Sequence, residues 1–182
     1  MFYEFEARII HIMADIEGEM DDLEKRVARL EAVKEVERLW IDFADAMDFG
    51  GPEANVYDPD KMLSLIAEDS SSVVGVVELG SKEAIGEFWR DLAQSMSLHF
   101  MSNPLIDISG SLESAVGSWR AWETPILDDQ SLLGVFSHAH EYTKVDGRWL
   151  RGRAVQTTHF FVPLGKDWAG QDRVIEQRRS FI

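Results

Sequence analysis

Cysteine is absent from this 182-residue chain, which removes disulfides and thiolate chemistry from any account of it. The redox compartment is left open by that absence. Basic residues are scarce, 18 Lys and Arg against 33 Asp and Glu, for a net charge of -15. Such a surface repels phosphate backbones and anionic lipid, so neither nucleic acid nor a membrane is expected as a partner. No apolar run approaches the roughly 20 residues that span a bilayer. The opening segment MFYEFEARIIHIMADIEGEM carries acids inside its apolar stretch and has no basic leader or small-residue cleavage site, so it does not read as a secretion signal. A cytoplasmic location is the default expectation. Proline is missing before Pro52, and glycine before Phe49 occurs only at Gly18. What is present is apolar: 45% hydrophobic and 10% aromatic residues suffice for one substantial core and argue against disorder. The length is short for two full domains.

The proline-free stretch from Phe2 to about Phe49 reads as nearly all helix. Ile9, Met13, Ile16, Met20, Leu23, Val27 and Leu30 step by four and three in alternation, the spacing of a coiled-coil seam over about three heptads. The stripe then shifts phase to Val33, Val36, Leu39 and Phe43, which predicts two helical pieces with a break or bend between Gly18 and Glu31. Two readings of the first piece stay open: it packs on its own domain, or it contacts a neighbouring subunit. Gly50-Gly51-Pro52 ends the second piece.

YDPDKMLSLIAED predicts a short helix capped by Asp58 or Asp60 and buried through Met62, Leu63, Leu65 and Ile66. SSSVVGVVEL reads as one strand, and SKEAIGEFWRDLAQSM as a helix opened at Ser81 with Ile85, Phe88, Trp89 and Leu92 on one face. From Leu98 to Leu164, four long segments rich in β-branched and aromatic residues predict an antiparallel meander. Asp146-Gly147 marks a tight hairpin within it, because both central residues of such a turn need φ > 0. This order of elements gives an α+β class: one curved, mostly antiparallel sheet wrapped around helices, with a pocket between them. The tail KDWAGQDRVIEQRRSFI is polar and is read as a final helix.

A pocket inside a curled sheet is lined by alternate strand residues, so polar side chains that alternation sends inward draw attention. His99 stands at a strand start, His138 and His140 share one strand face, and His159 lies late in the last strand. His11, among charged neighbours on the first helix, reads as a surface residue. Two histidines two apart on a strand could form a metal pair, but no third ligand with metal-like spacing accompanies them. Asp42, Asp45 and Asp48 are spaced by three and run down one side of the helix EVERLWIDFADAMDFG. A carboxylate in a last turn is opposed by the helix dipole, so Asp48 is either a turn residue or a functional one, while Asp42 and Asp45 read as a solvated face.

The runs VERLWIDFADAMD, SLHFMSN, HEYTKVDGRWLRGR and HFFVPL, in this order and spacing, resemble the SnoaL-like branch of the NTF2-like superfamily over about Ala32 to Leu164. Within that branch the pattern is similar to the scytalone dehydratase, hexachlorocyclohexane dehydrochlorinase and bile acid 7α-dehydratase types. The resemblance implies a cone-shaped α+β domain at 32–165, preceded by a helical extension at 1–31 and followed by a tail at 166–182. It implies a cofactor-free lyase of the dehydratase, dehydrohalogenase or C–C lyase type, or an isomerase, acting on an apolar, aromatic or polycyclic small molecule, with neither metal nor cofactor. Asp48 and His99 fall on the catalytic Asp-His dyad, with histidine as general base and aspartate as its partner. His138 and Arg153 fall on strands that hold a leaving group or oxyanion, and Tyr57 and Trp122 are expected in the pocket wall. Met47 departs from the dehydratases, which carry tyrosine beside the aspartate. A homo-oligomer, a trimer by resemblance, is expected. The reading from another class is a ligand-binding or subunit-assembly domain without turnover.

Overall fold

The computed structural model describes residues 2–48, 58–91, 97–127 and 130–164. Along the chain run α1 (Phe2–Met47), α2 (Pro59–Ser64), β1 (Ser72–Val74), β2 (Val77–Leu79), α3 (Lys82–Asp91), β3 (His99–Ile108), β4 (Ser114–Glu123), β5 (Ile126–Leu127), β6 (Gln130–Val145) and β7 (Arg148–Pro163). Tyr57, the Gly50-Gly51-Pro52 stop and the tail 166–182 lie outside the described residues, as does the end of the expected third helix at 92–96.

The first correction concerns α1, which is one uninterrupted helix of 46 residues rather than two pieces. A glycine inside a helix costs only about 1 kcal/mol, too little to break a segment that otherwise lacks proline. Space around Gly18 is open, with nothing within 4 Å of an added Cβ. Gly18→Ala is therefore expected to stabilise the helix by about 1 kcal/mol, seen as a higher melting temperature with unchanged ellipticity; a lower one would contradict this. The phase shift in the apolar stripe marks where the helix turns from an exposed stripe to one buried on the sheet, instead of a break. Side chains before residue 31 are exposed at Met13, Ile16, Met20, Leu23, Val27 and Leu30, whereas Ala32, Val36, Leu39 and Phe43 are buried against the sheet.

Asp58 caps α2 as expected, its carboxylate accepting from Lys61 N at 2.8 Å, and Met62 and Ile66 are fully buried behind it. Ser81 caps α3 by accepting from Ala84 N at 3.2 Å. The segment read as a single strand is a hairpin, β1 and β2, folded back at Gly75, whose φ of +61° needs glycine. Asp146 and Gly147 take φ of +50° and +76°, the tight turn between β6 and β7.

The sheet runs β2-β1-β7-β6-β4-β3, antiparallel except for the parallel β1–β7 pair, with β5 attached to β6. It is not closed, and it curves around α1 as the α+β cone that the sequence led one to expect. Two packed clusters fill the concave side. One joins Trp40, Phe43 and Met47 of α1 to Met62, Ile85 and Trp119; the other joins Val36 and Leu39 to Ile108, Tyr142 and Trp149. Trp149 Nε1 donates to Glu35 at 2.9 Å, pinning the hairpin end to the helix.

Bulges decide which strand side chains enter that concave side. In β7, Gly152 and Arg153 together oppose the single residue Glu141, so the inside-outside alternation resets between Arg151 and Ala154. In β3, Asn103 (φ +52°) and Pro104 oppose Trp119. No helix among the described residues is long and apolar enough to cross a membrane.

Candidate active site

The end of α1 and the start of β3 meet on the inner side of the sheet. Asp48 N still donates to Ala44 O at 2.9 Å, so the last helical turn fixes the aspartate. Its Oδ1 accepts twice from one residue, from His99 N and from His99 Nδ1, both at 2.7 Å. The double contact sets the ring orientation and keeps a proton on Nδ1 whether the ring is charged or neutral, since a carboxylate can only accept. The structure thus brings together the two residues that the sequence analysis singled out, 51 positions apart.

A third group was missed. Glu123, at the end of β4, places Oε2 3.0 Å from His99 Nε2. The register His99↔Glu123 in the β3–β4 pair puts both residues on the inner face. The His99 side chain is only 10% exposed. Burial by itself would lower its pKa, but the hydrogen bonds and charges of Asp48 and Glu123 outweigh that and push it up to about 9. At neutral pH the ring is an imidazolium clamped between two carboxylates.

Deeper along the inner face of β6, His138 and His140 behave in the opposite way. His138 has its ring centroid 5.3 Å from that of Trp40 and 5.5 Å from that of His140. Burial, with the positive charges of His99 and Arg151 beside it, lowers its pKa to about 3. His140 is driven well below the ordinary value by burial, and then by His138 and Arg151. Its Nδ1 lies 3.0 Å from the Tyr142 hydroxyl, which also accepts from Trp119 Nε1 at 3.0 Å. Two uncharged histidines therefore sit behind one charged one.

Three of the site residues expected from the sequence need correction or qualification. Arg153 is exposed on the outer face, lining an open groove of about 440 Å³ with Leu105, Val116 and Glu141. The bulge at Gly152 sends Arg151 inward in its place. Trp122 also faces out: it is 42% exposed and stacks on Phe100 across the β3–β4 pair, ring centroids 4.0 Å apart. Alternation counted from the buried Trp119 leaves position 122 on the convex side. Tyr57 lies outside the described residues. His138 does point inward. Of the remaining acids of α1, Asp42 pairs with Arg38 at 2.8 Å and Asp45 is exposed, as a solvated face requires.

Arg151 is fully buried over the Phe43 ring at 4.5 Å, with one hydrogen bond to Ser72 Oγ at 3.1 Å and its Nε unpartnered among the described residues. Burial lowers its pKa to about 10, which leaves it charged at neutral pH. A buried cation without a carboxylate is a net cost to folding, and exchanging buried ionic groups for apolar ones of similar volume is neutral or stabilising by about 1–4 kcal/mol. Arg151→Met is expected to follow that rule in urea denaturation. A loss of about 3 kcal/mol or more would mean that the charge is compensated in the fold.

Among the described residues no three His, Cys, Asp or Glu side chains gather as a metal site. What the arrangement offers is proton chemistry: a charged, oriented imidazole between two carboxylates, with neutral histidines and a buried cation further along the same inner face.

Comparison with known proteins agrees with this architecture. A hexachlorocyclohexane dehydrochlorinase from Novosphingobium barchaimii superposes with a TM-score of 0.66 at 17% identity, over 78% of this chain and 96% of that one. A scytalone dehydratase-like protein from Novosphingobium aromaticivorans gives 0.67 at 16% identity, over 78% and 93%. An NTF2-like protein of unknown function from Pseudomonas putida gives 0.56 at 14%, over 70% and 86%. At these identities the likeness speaks for the fold alone. No curated protein matches the sequence at a significant level. The sequence pattern of the SnoaL-like domain, however, matches residues 28–153, well over half of the chain. By that match, set on an NTF2-like cone, the chain belongs to the SnoaL-like domain family.

Proposed function

We propose that the protein is a cofactor-independent lyase or isomerase, removing a proton from an apolar, aromatic or polycyclic small molecule with His99 as general base. Asp48 holds the ring by Nδ1 and stabilises the imidazolium formed when Nε2 takes the proton. Loss of hydroxide, halide or a carbon fragment then completes an elimination, and return of the proton elsewhere completes an isomerisation. The observation that carries this reading is the 2.7 Å double contact between Asp48 and His99 in a largely buried setting. Arg151 takes the place that sequence reasoning gave to Arg153, as the inward cation whose field favours developing negative charge.

Glu123 adds a condition. The nitrogen that must accept the proton is covered at 3.0 Å, so substrate entry has to displace this carboxylate, and the base form of His99 becomes abundant only as pH rises toward 9. That same contact favours one variant of the mechanism, in which Glu123 itself takes the proton and His99 acts as its charged donor.

The test is independent of the leaving group. A panel of cyclic ketones, hydroxylated aromatics and chlorinated cyclohexanes is incubated with enzyme in D₂O, and deuterium entering carbon positions, or product lacking the leaving group, is followed by NMR. Turnover of one class with a rate that climbs with pH to about 9 is expected. Tight binding of such compounds without exchange or turnover at any pH would make the protein a binding module and end the catalytic proposal.

A further inference from the structure

We propose that the N-terminal half of α1 is the seam of an antiparallel two-helix coiled coil with a second copy of this chain. Met13, Ile16, Met20, Leu23, Val27 and Leu30 are each 45–67% exposed, so none is covered by the described residues of the chain's own domain. The buried stripe that holds α1 on the sheet, beginning at Ala32, lies roughly 140–200° around the helix from Val27 and Leu30. The seam and the domain contact occupy different sides of one rod. Of the two readings left open by the sequence this favours the contact with a neighbouring subunit, since among the described residues nothing of the chain's own domain covers the stripe.

Several observations identify the occupant as a second copy. The four-three spacing over 18 residues is the pattern that fits between the side chains of an equivalent helix, with Met13, Met20 and Val27 at one set of core positions and Ile16, Leu23 and Leu30 at the other. Run antiparallel about a centre between Met20 and Leu23, all six residues find a seam partner: Met13 against Leu30, Ile16 against Val27, Met20 against Leu23, and the reverse. In that register Glu19 falls beside Arg26 of the second copy, twice by symmetry on one flank, and Arg26 lies level with Glu17, while the other flank sets Glu17 beside Glu24. A parallel pair would lay all the acids of 15–24, six of ten residues, alongside themselves, whereas the antiparallel register does so only for those at 19–24. Antiparallel helix dipoles also attract. The same acids exclude an anionic lipid surface as the cover. Among the described residues, the helix makes no salt bridge to its own domain between residues 11 and 27, the first being Arg29 to Asp107 at 2.6 Å. A lone helical arm of this kind gains little from propensity and depends on a packing partner.

The absence of native cysteine makes the test direct. Full-length Ile16→Cys is mixed with full-length Val27→Cys under mild oxidation, and a disulfide-linked pair of the two is expected, while Val27→Cys alone and Lys25→Cys alone stay unlinked. In sedimentation, Met20→Glu/Leu23→Glu is expected to lower the assembly mass at least twofold, with its sheet still folded by circular dichroism. Self-linking of Val27→Cys would overturn the antiparallel arrangement. A wild-type monomer, or a mass unmoved by the double substitution, would overturn the seam altogether.

Discussion

His99→Ala is expected to slow substrate exchange or turnover about 100- to 10,000-fold, the range that a positioned general base contributes. The effect follows from geometry, because the Asp48 carboxylate and the Glu123 carboxylate would then face an empty space with no proton acceptor between them. Asp48→Asn tests the other half. An asparagine oxygen can still accept from His99, but it carries no charge to stabilise the imidazolium, so the rate falls and the alkaline limb moves down in pH. Glu123→Gln separates the two mechanistic variants. If His99 is the base, loss of one of its two carboxylates lowers its pKa from about 9 and raises the rate at pH 7, as more of the ring is neutral and uncovered. If Glu123 is the base, the same substitution abolishes exchange. A His99→Ala enzyme with undiminished rate at every pH would sink both.

Thermal stability is expected to peak near pH 6.5 and to decline on both sides, for two opposite reasons within one pocket. His99 has its folded pKa raised to about 9, from an ordinary value of 6.5. Its stabilisation is complete below about 6.5 and is lost as pH climbs through 9, and at about 1.4 kcal/mol per unit it amounts to about 3 kcal/mol. His138 has its folded pKa lowered to about 3, and His140 is lowered too. For these the unfolded chain takes up protons that the folded chain refuses, so their contribution is complete above about 6.5 and drains away as pH falls. Melting curves from about pH 4 to 10 should therefore form a dome. His99→Gln is expected to flatten its alkaline side, and His138→Leu to make its acid side shallower. An alkaline limb that survives His99→Gln unchanged would show that the clamp between Asp48 and Glu123 does not hold a proton at neutral pH.

The places where sequence reading succeeded and failed share a physical pattern. Asp58 and Ser81 as helix caps, and Asp146-Gly147 as a hairpin turn, were legible because each acts on backbone groups two or three residues away. The break expected in α1 was a misreading of a phase shift that marks the passage from an exposed stripe to one buried on the sheet. Arg153, carried over from the resemblance, falls on the outer face because the ladder is irregular beside it, whereas Trp122 was misplaced although the regular alternation of β4 sends it outward. Gly152 was the available signal, since glycine within a strand often marks a bulge. For Glu123 there was none: nothing local distinguishes it from the other acids of the chain until the β3–β4 register lays it opposite His99.

By itself, then, the sequence determined the order and kind of the elements, the strongly acidic net charge, and the heptad spacing of the arm. These follow from short-range backbone chemistry and from counting charges and apolar positions. Only the tertiary structure decided that His99 is held by two carboxylates instead of one, that Arg151 and not Arg153 is the inward cation, and that the apolar stripe of the arm is left exposed by the described residues. Register, bulges and the side of a helix that meets a sheet are set by packing across the whole fold, and long-range packing leaves no mark on the residues taken one neighbourhood at a time.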